Sequence, residues 1–386
     1  MPDSHYDIAI IGAGAAGLQL ALAMRDEVFF SDKRIIILEK SGKDQNDRTW
    51  CFWEQNEGKW DHLLRHSWAK ADFYTSAHSR QLELLPFRYK MLRSIDFYQY
   101  AKEQISKSPH FHWQNEEVQS VNQGEKLSII GKSGKYTADY VFDSRIPEDF
   151  FNPNDKYTKL LQHFKGWVVR FSEDVFDPER FTMMDFRLLW PDSTSFTYVL
   201  PLSKREALIE FTLFSSELLQ KEDYDKMLQK YLSEILQLKD FEIIEVEQGI
   251  IPMSDFPFHH YSKGRHIRIG TGGGWVKPSS GYSFKNCERY SQKIVSNMIT
   301  GRAINEGLFP AKYRFYDAIF LDVLHRQNEL GPQLFESMYL KNSVQSIFHF
   351  LDNQSSLSDD LKIIAGFPKG PFLRALGRWI GRWRRK

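Results

Sequence analysis

Three groups of residues carry the chemistry open to this chain. Glu210 stands between Ile209 and Phe211 in the run Leu208 to Thr212. A carboxyl group so flanked either points to water or is buried with its pKa pushed up, where it becomes an acid usable near neutral pH. Alternation along the strand favours the solvated face. Asp185 and Arg187 form a second charged spot in apolar company, Met184-Asp185-Phe186-Arg187. The third group is glycine. Gly12, Gly14 and Gly17 have the spacing G-x-G-x-x-G, and Gly270, Gly272, Gly273 and Gly274 cluster far downstream. In the first set, Gly12 permits a tight turn, Gly14 lets a pyrophosphate approach the backbone, and Gly17 lets a helix lie close on a sheet.

The elements that must position these residues read as a doubly wound unit. The β-branched run Ile8 to Ile11 suits a strand buried on both faces. The helix expected from Ala15 to Met24 offers its first amides to an anion. A second strand, Ile35 to Leu38, ends in Glu39, whose carboxylate suits the hydroxyls of an adenosine ribose. An acid there disfavours a 2′-phosphate, so FAD or NAD is expected over NADP. Arg48 and Thr49 open an aromatic run through Trp53, where Arg48 either meets a phosphate or the run packs on the sheet edge. A hairpin around Gly131 to Gly134 returns through Tyr136 to Phe142 and closes in Asp143-Ser144-Arg145. Asp143 then either faces the cofactor crevice or caps a loop. The second glycine cluster follows the strand His266 to Ile269 and leads into a helix, so its amides are candidates for a pyrophosphate or a flavin oxygen. Two glycine clusters on separated strands imply a discontinuous cofactor domain, which a large FAD needs and an NAD module seldom does.

The remaining chain suggests two further parts. Strands at Trp167 to Phe171, Phe196 to Leu200, Glu206 to Phe214 and Phe241 to Gln248, with a helical interval from Glu217 to Leu238, describe an antiparallel sheet. A helix over Ile95 to Ile105 is expected to open on Ser94 as its cap. The expected division is a cofactor domain over 1–60, 125–150 and 262–300, a substrate domain over 61–124 and 151–261, and a helical region over 301–386. Within that region helices are expected at Tyr290 to Thr300, just before it, then at Asp317 to Asn328 and Leu330 to Leu340. The last helix, Phe372 to Arg385, has an apolar stripe of Phe372, Leu376, Trp379 and Trp383 beside Arg374, Arg378, Arg382 and Arg385. It either lies on an anionic membrane surface or packs on its own domain.

Composition narrows the classes. A net charge of +1 over 386 residues gives no general attraction for nucleic acid. Cys51 and Cys287 make no disulfide framework and no Cys/His cluster has metal-ligand spacing, so no metal is expected and a cytoplasmic setting is. A secretory leader is not expected, and no apolar run approaches the roughly 18 residues that span a bilayer.

Over nearly its whole length the sequence resembles the lycopene cyclases of carotenoid biosynthesis. The residues that carry this are Gly12 to Gly17 with Glu39, Arg48-Thr49-Trp50-Cys51-Phe52-Trp53, Met184-Asp185-Phe186-Arg187, Leu208-Ile209-Glu210-Phe211-Thr212, Gly249-Ile250-Ile251-Pro252-Met253 and Gly270 to Tyr282. The resemblance implies the α/β fold of flavoprotein hydroxylases and reductases: a Rossmann-type FAD-binding domain, an inserted antiparallel substrate domain and a lipid tunnel. It implies β-ring closure on lycopene and other linear carotenes to give β-carotene. Glu210 is the implied acid, with Asp185 and Arg187 as further catalytic candidates. Reduced FAD acts as an electrostatic element kept reduced by NADPH or NADH, and the enzyme sits peripherally on the inner face of the membrane. Many members carry two acids in succession, whereas Phe211 follows Glu210 here. An FAD-dependent reductase or monooxygenase of an isoprenoid lipid is the alternative.

Overall fold

The computed structural model describes residues 4–152 and 156–383. Its first sheet is built on Ser4–Ile11, which pairs in parallel with Ile35–Glu39 on one side and Lys135–Asp143 on the other. Ile8, Ile10, Ile35 and Ile37 enter one apolar cluster and Ala9, Ile11, Ile36 and Leu38 another, so continuous apolar runs are required. The helix Ala15–Arg25 covers one of these faces beside the later helix Phe284–Ile299. His266–Arg268 rejoins the sheet in parallel with Lys135–Asp143. The cofactor unit is therefore discontinuous in sequence.

The second sheet has seven strands in the order Glu242–Ser254, Lys159–Arg170, Glu206–Ser215, Thr194–Pro201, Arg180–Asp185, Lys70–Tyr74 and Ser79–Glu83. Both of its faces are covered. Ile209, Phe211 and Leu213 pack under the helix Lys221–Lys230, while Leu208 and Phe214 face the C-terminal helices. A third, three-stranded sheet of Thr49–Gln55, Phe87–Arg93 and His66–Trp68 bridges the two units.

Several boundaries differ from those expected. Phe111–Asn115 pairs with Ile35–Glu39, and Val118–Asn122 pairs with Leu127–Gly131, so 111–122 belongs to the first sheet and not to the substrate unit. The helix Ser94–Ser106 packs there as well through Phe97, Ala101 and Ile105. Ser94 does not cap it: its hydroxyl accepts the Arg48 amide at 3.0 Å. The interval after Glu217 forms one helix and a π turn at Tyr231–Ile235. Two short helices, Val344–Leu351 and Leu357–Ala365, appear behind the caps Ser343 and Ser356, each accepting a backbone amide three residues on.

The terminal helix Lys369–Trp383 turns its stripe inward, with Phe372, Leu376 and Trp379 on the core of the second unit. Arg378 Nε donates to Asp322 at 2.9 Å, and Arg382 reaches Asp322 at 3.2 Å and Asp255 at 3.1 Å. These contacts make that side of the helix an internal packing surface; Leu373 and Ile380 face outward, and Arg385 lies outside the described residues. Asp322 is buried between cations. Asp322→Ala should therefore cost about 1 to 3 kcal/mol, less than breaking a fully buried pair because the arginines are partly exposed. Thermal unfolding and proteolysis at the C-terminal end measure it. Unchanged stability would contradict the anchoring role.

Candidate active site

One cleft of about 410 Å3 runs from the glycine turn to the second sheet, lined by Gly14, Ala15, Arg48, Ser144, Gly270 and Glu210 among others. At its polar end Gly12 has φ +95°, and a Cβ on Gly17 would sit 1.9 Å from the Gly12 carbonyl oxygen, so neither tolerates a side chain. A Cβ on Gly14 would meet no protein atom within 4 Å and would project into space the turn leaves open. Gly14 precedes the helix without a side-chain cap, leaving the first-turn amides, beginning with Ala15, for a ligand. Glu39 lies at the edge of this turn and accepts the Ala13 amide at 2.6 Å and the Ser41 amide and hydroxyl at 3.0 and 2.9 Å. Ser280 Oγ and Gln162 Oε1 are buried in the cleft wall without a protein partner. An open glycine cradle, an acid at the second strand's end and orphaned polar atoms suit a dinucleotide such as FAD.

The other candidates divide. Of the second glycine cluster, Gly270 faces the cleft. A Cβ on Gly272 or Gly273 would strike the carbonyl of Arg145 or Arg268, and Gly273 and Gly274 border a neighbouring cavity. Arg48 lines the cleft and donates to the Asp47 carbonyl, while the Thr49 hydroxyl donates to Glu247 at 2.6 Å. Asp143 does not line the cleft. Burial would push its carboxyl up, but His266, Arg145 and Arg268 hold it below the ordinary range as the centre of an internal ion cluster; Ser144 takes the place facing the cleft. Asp185 and Arg187 are likewise off the cleft. Asp185 accepts Arg187 Nε at 2.9 Å and the Tyr231 hydroxyl at 2.8 Å, on the side of the sheet opposite Met184, which does line the cleft. Its bonds to Arg187 and to Tyr231, on the far side of the sheet, keep the charged spot out of the cavity.

Glu210 is in the cavity and only 3% exposed, contrary to the solvated face that alternation favours. Its strand is buried from Ala207 to Phe214, so alternation there separates two buried faces and not core from water. The Thr212 hydroxyl donates to Glu210 at 2.8 Å. Burial first, and the charge of Glu247 second, push the Glu210 carboxyl well above the ordinary range, with Thr212 opposing weakly. Around it stand Tyr89, Tyr198 and Tyr282, phenols that burial keeps neutral. Glu247 escaped the sequence reading because Glu242, Glu245 and Glu247 look like a solvated edge. The one available signal was Gly166, a glycine inside a strand, which often marks a close approach. Gly166 pairs with Glu210 on one side and Glu247 on the other.

A second cavity of about 460 Å3, lined by Phe320, Phe350, Leu361 and Leu373 among others, shares Phe335, Met338 and Leu351 with the cleft. Leu361 and Leu373 are 64% and 65% exposed. Phe335, Met338 and Leu351 thus form the wall between the cleft that holds the acid and an apolar cavity that reaches the surface of the C-terminal helices.

A model of the lycopene cyclase protein family matches residues 7–376. The chain belongs to the lycopene cyclase family. This lycopene cyclase family member has the fold of solved flavoproteins: a geranylgeranyl bacteriochlorophyll reductase-like protein from Thermoplasma acidophilum is 12% identical, with 98% of this chain and 99% of that chain covered and a TM-score of 0.59. A flavin-dependent brominase is 15% identical over 99% and 100% of the two chains, TM-score 0.58. A flavoprotein/dehydrogenase from Cytophaga hutchinsonii is 12% identical over 94% and 100%, TM-score 0.58. No curated protein sequence matches it significantly.

The raised Glu210 pKa has a consequence for stability. The folded state holds this proton more tightly than the unfolded chain, so the stability it contributes is present below the unfolded glutamate value of about 4.3 and is lost as pH rises towards the folded value. Glu210→Gln removes that loss. The thermal midpoint of Glu210→Gln relative to wild type should climb between pH 4 and pH 8. A difference independent of pH would mean an ordinary carboxylate.

Proposed function

We propose that this protein is an FAD-dependent lycopene β-cyclase that closes the linear ends of lycopene to β-rings, giving β-carotene by way of γ-carotene without net redox change. The observation that carries the reading is the buried carboxyl of Glu210, pushed up by burial, in the aromatic part of the cleft that begins at the glycine turn. Glu210 delivers its proton to the terminal double bond. The next double bond attacks the tertiary cation, the ring bond forms, and a proton leaves the adjacent ring carbon. The π-faces of Tyr89 and Tyr198 favour the cation, and the apolar walls exclude water that would trap it as an alcohol.

Gly12, Gly14, Ala15 and Gly17 would hold the pyrophosphate of FAD and Glu39 its ribose, with Gly270, Thr271 and Ser280 available to the flavin end. Bound in reduced form, FAD supplies negative charge beside the developing cation; NADPH or NADH is the expected reductant. The two apolar cavities on either side of Phe335 and Met338 suit a long hydrocarbon once those side chains turn aside, and the exposed leucines at the outer end suit peripheral contact with the membrane that stores it. Among the described residues, no helix is long and apolar enough to cross a membrane.

Two variants test separate halves of the reading. Gly14→Val, whose side chain enters only the open cleft, should fold and lose FAD. Glu39→Ala should also weaken retention, each lost charge-assisted hydrogen bond being worth roughly 1.5 to 3 kcal/mol. Normal flavin content in both would overturn the cofactor assignment. Glu210→Gln should keep its flavin and lose cyclisation by about 10² to 10⁴. Turnover equal to wild type, with flavin quantified in the same sample, would move the acid elsewhere.

A further inference from the structure

Glu247 and Glu210 lie on strands that flank Lys159–Arg170 and never pair with each other. They meet because Gly166 stands between them in register, opposite both. A Cβ at 166 would lie 3.3 Å from Glu210 Cβ and 3.2 Å from Glu247 Cγ, so the missing side chain is the space across which the two acids approach. Across that space each carboxyl group acts on the protonation of the other. Each also has a hydroxyl donor of its own: Thr212 for Glu210, and Thr49 for Glu247 at 2.6 Å.

We infer that Glu247 is a positioning residue for the cyclisation acid: across Gly166 the two glutamates form one pair holding a single proton, with the proton kept on Glu210 and the charge on Glu247. The inference rests on the cyclase reading for its role, but the pair itself does not.

Two carboxyl groups in one poorly solvated site cannot both ionise, so one proton stays. The surroundings decide where. Glu210 is the deeper group, and the titratable groups facing it from other elements are Tyr198, Cys51, Tyr89 and Tyr282, all neutral because burial raises them. Glu247 keeps some solvent exposure; burial raises it too, but Thr49 and Glu210 both donate to it and lower it, while Glu245 on its own strand and Arg93, paired with Glu245 at 3.5 Å, act in opposite senses and more weakly. The anion is better served at Glu247. In the reaction Glu210 gives its proton to the terminal carbon and the ring bond forms. The pair, then doubly charged, takes back the proton lost from the ring carbon. It ends with one proton as it began, and no oxidant or reductant is consumed.

The test is an infrared difference titration of the flavin-loaded protein, following the protonated-carboxyl band that Glu210→Gln abolishes. In wild type the band should persist at pH 7. Glu247→Gln removes the neighbouring charge and should lower the proton affinity of Glu210 about tenfold or more, with the alkaline limb of kcat/KM moving acidward by the same amount and the acid plateau retained. Thr49→Val, which removes the donor to Glu247, should draw the proton towards Glu247 and weaken the Glu210 band at pH 7. Glu247→Asp should restore most of the wild-type titration. A band unchanged in both Glu247→Gln and Thr49→Val would overturn the pair even if wild type cyclises lycopene. A shifted band in a protein that forms no ring would uphold the pair and overturn the cyclase reading.

Discussion

A carboxyl group that cannot find enough water to ionise is the constraint on which the rest of this molecule depends. Glu210 sits on a strand covered on both faces: helix Lys221–Lys230 seals the side of Ile209 and Phe211, and the C-terminal helices seal the side of Leu208 and Phe214. Removing either layer would admit solvent and return the group to an ordinary carboxylate. The anchoring of the terminal helix through Asp322, Arg378 and Arg382 thus bears on the acid as well as on stability, since that helix supplies Phe372 and Leu376 to the same apolar body.

The cleft joins two different physical environments. At one end, backbone amides of the glycine turn and the carboxylate of Glu39 offer the hydrogen bonds a dinucleotide needs. At the other, phenols, methionines and phenylalanines surround Glu210, a carboxyl that burial pushes up. The three-stranded sheet that bridges the units carries the join: Thr49 borders the cleft and bonds Glu247, and the adjoining Arg48 amide is held by Ser94. A negative charge bound at the polar end would act on a cation formed at the apolar end through a medium of low effective dielectric.

The glycine turn was legible in the sequence because its determinants are local. Strand, turn, helix and the acid at Glu39 lie within one stretch, and each glycine has a steric reason that the observed contacts repeat. The acid end was less legible. Alternation around Glu210 records which face a residue occupies and says nothing about what covers that face, so the solvated assignment failed on a strand buried from Ala207 to Phe214. Asp143 and Asp185 looked like site residues for a related reason: both are buried acids at strand ends, but each faces away from the cleft and neutralises cations instead. Glu247 depended on the register of three strands, which only the folded sheet reveals. The terminal helix had a clear amphipathic pattern, yet a pattern does not say whether membrane or protein lies against it.

The central claim is that a proton from Glu210 closes the ring with no electrons exchanged. Incubating the FAD-reduced protein anaerobically with lycopene in D2O and weighing the product tests it most directly. Cyclisation by a solvent-exchanged acid predicts a product isomeric with lycopene apart from one deuterium retained for each ring closed. A product that has gained oxygen or hydrogen pairs, or whose yield follows the reductant consumed mole for mole, would contradict the account.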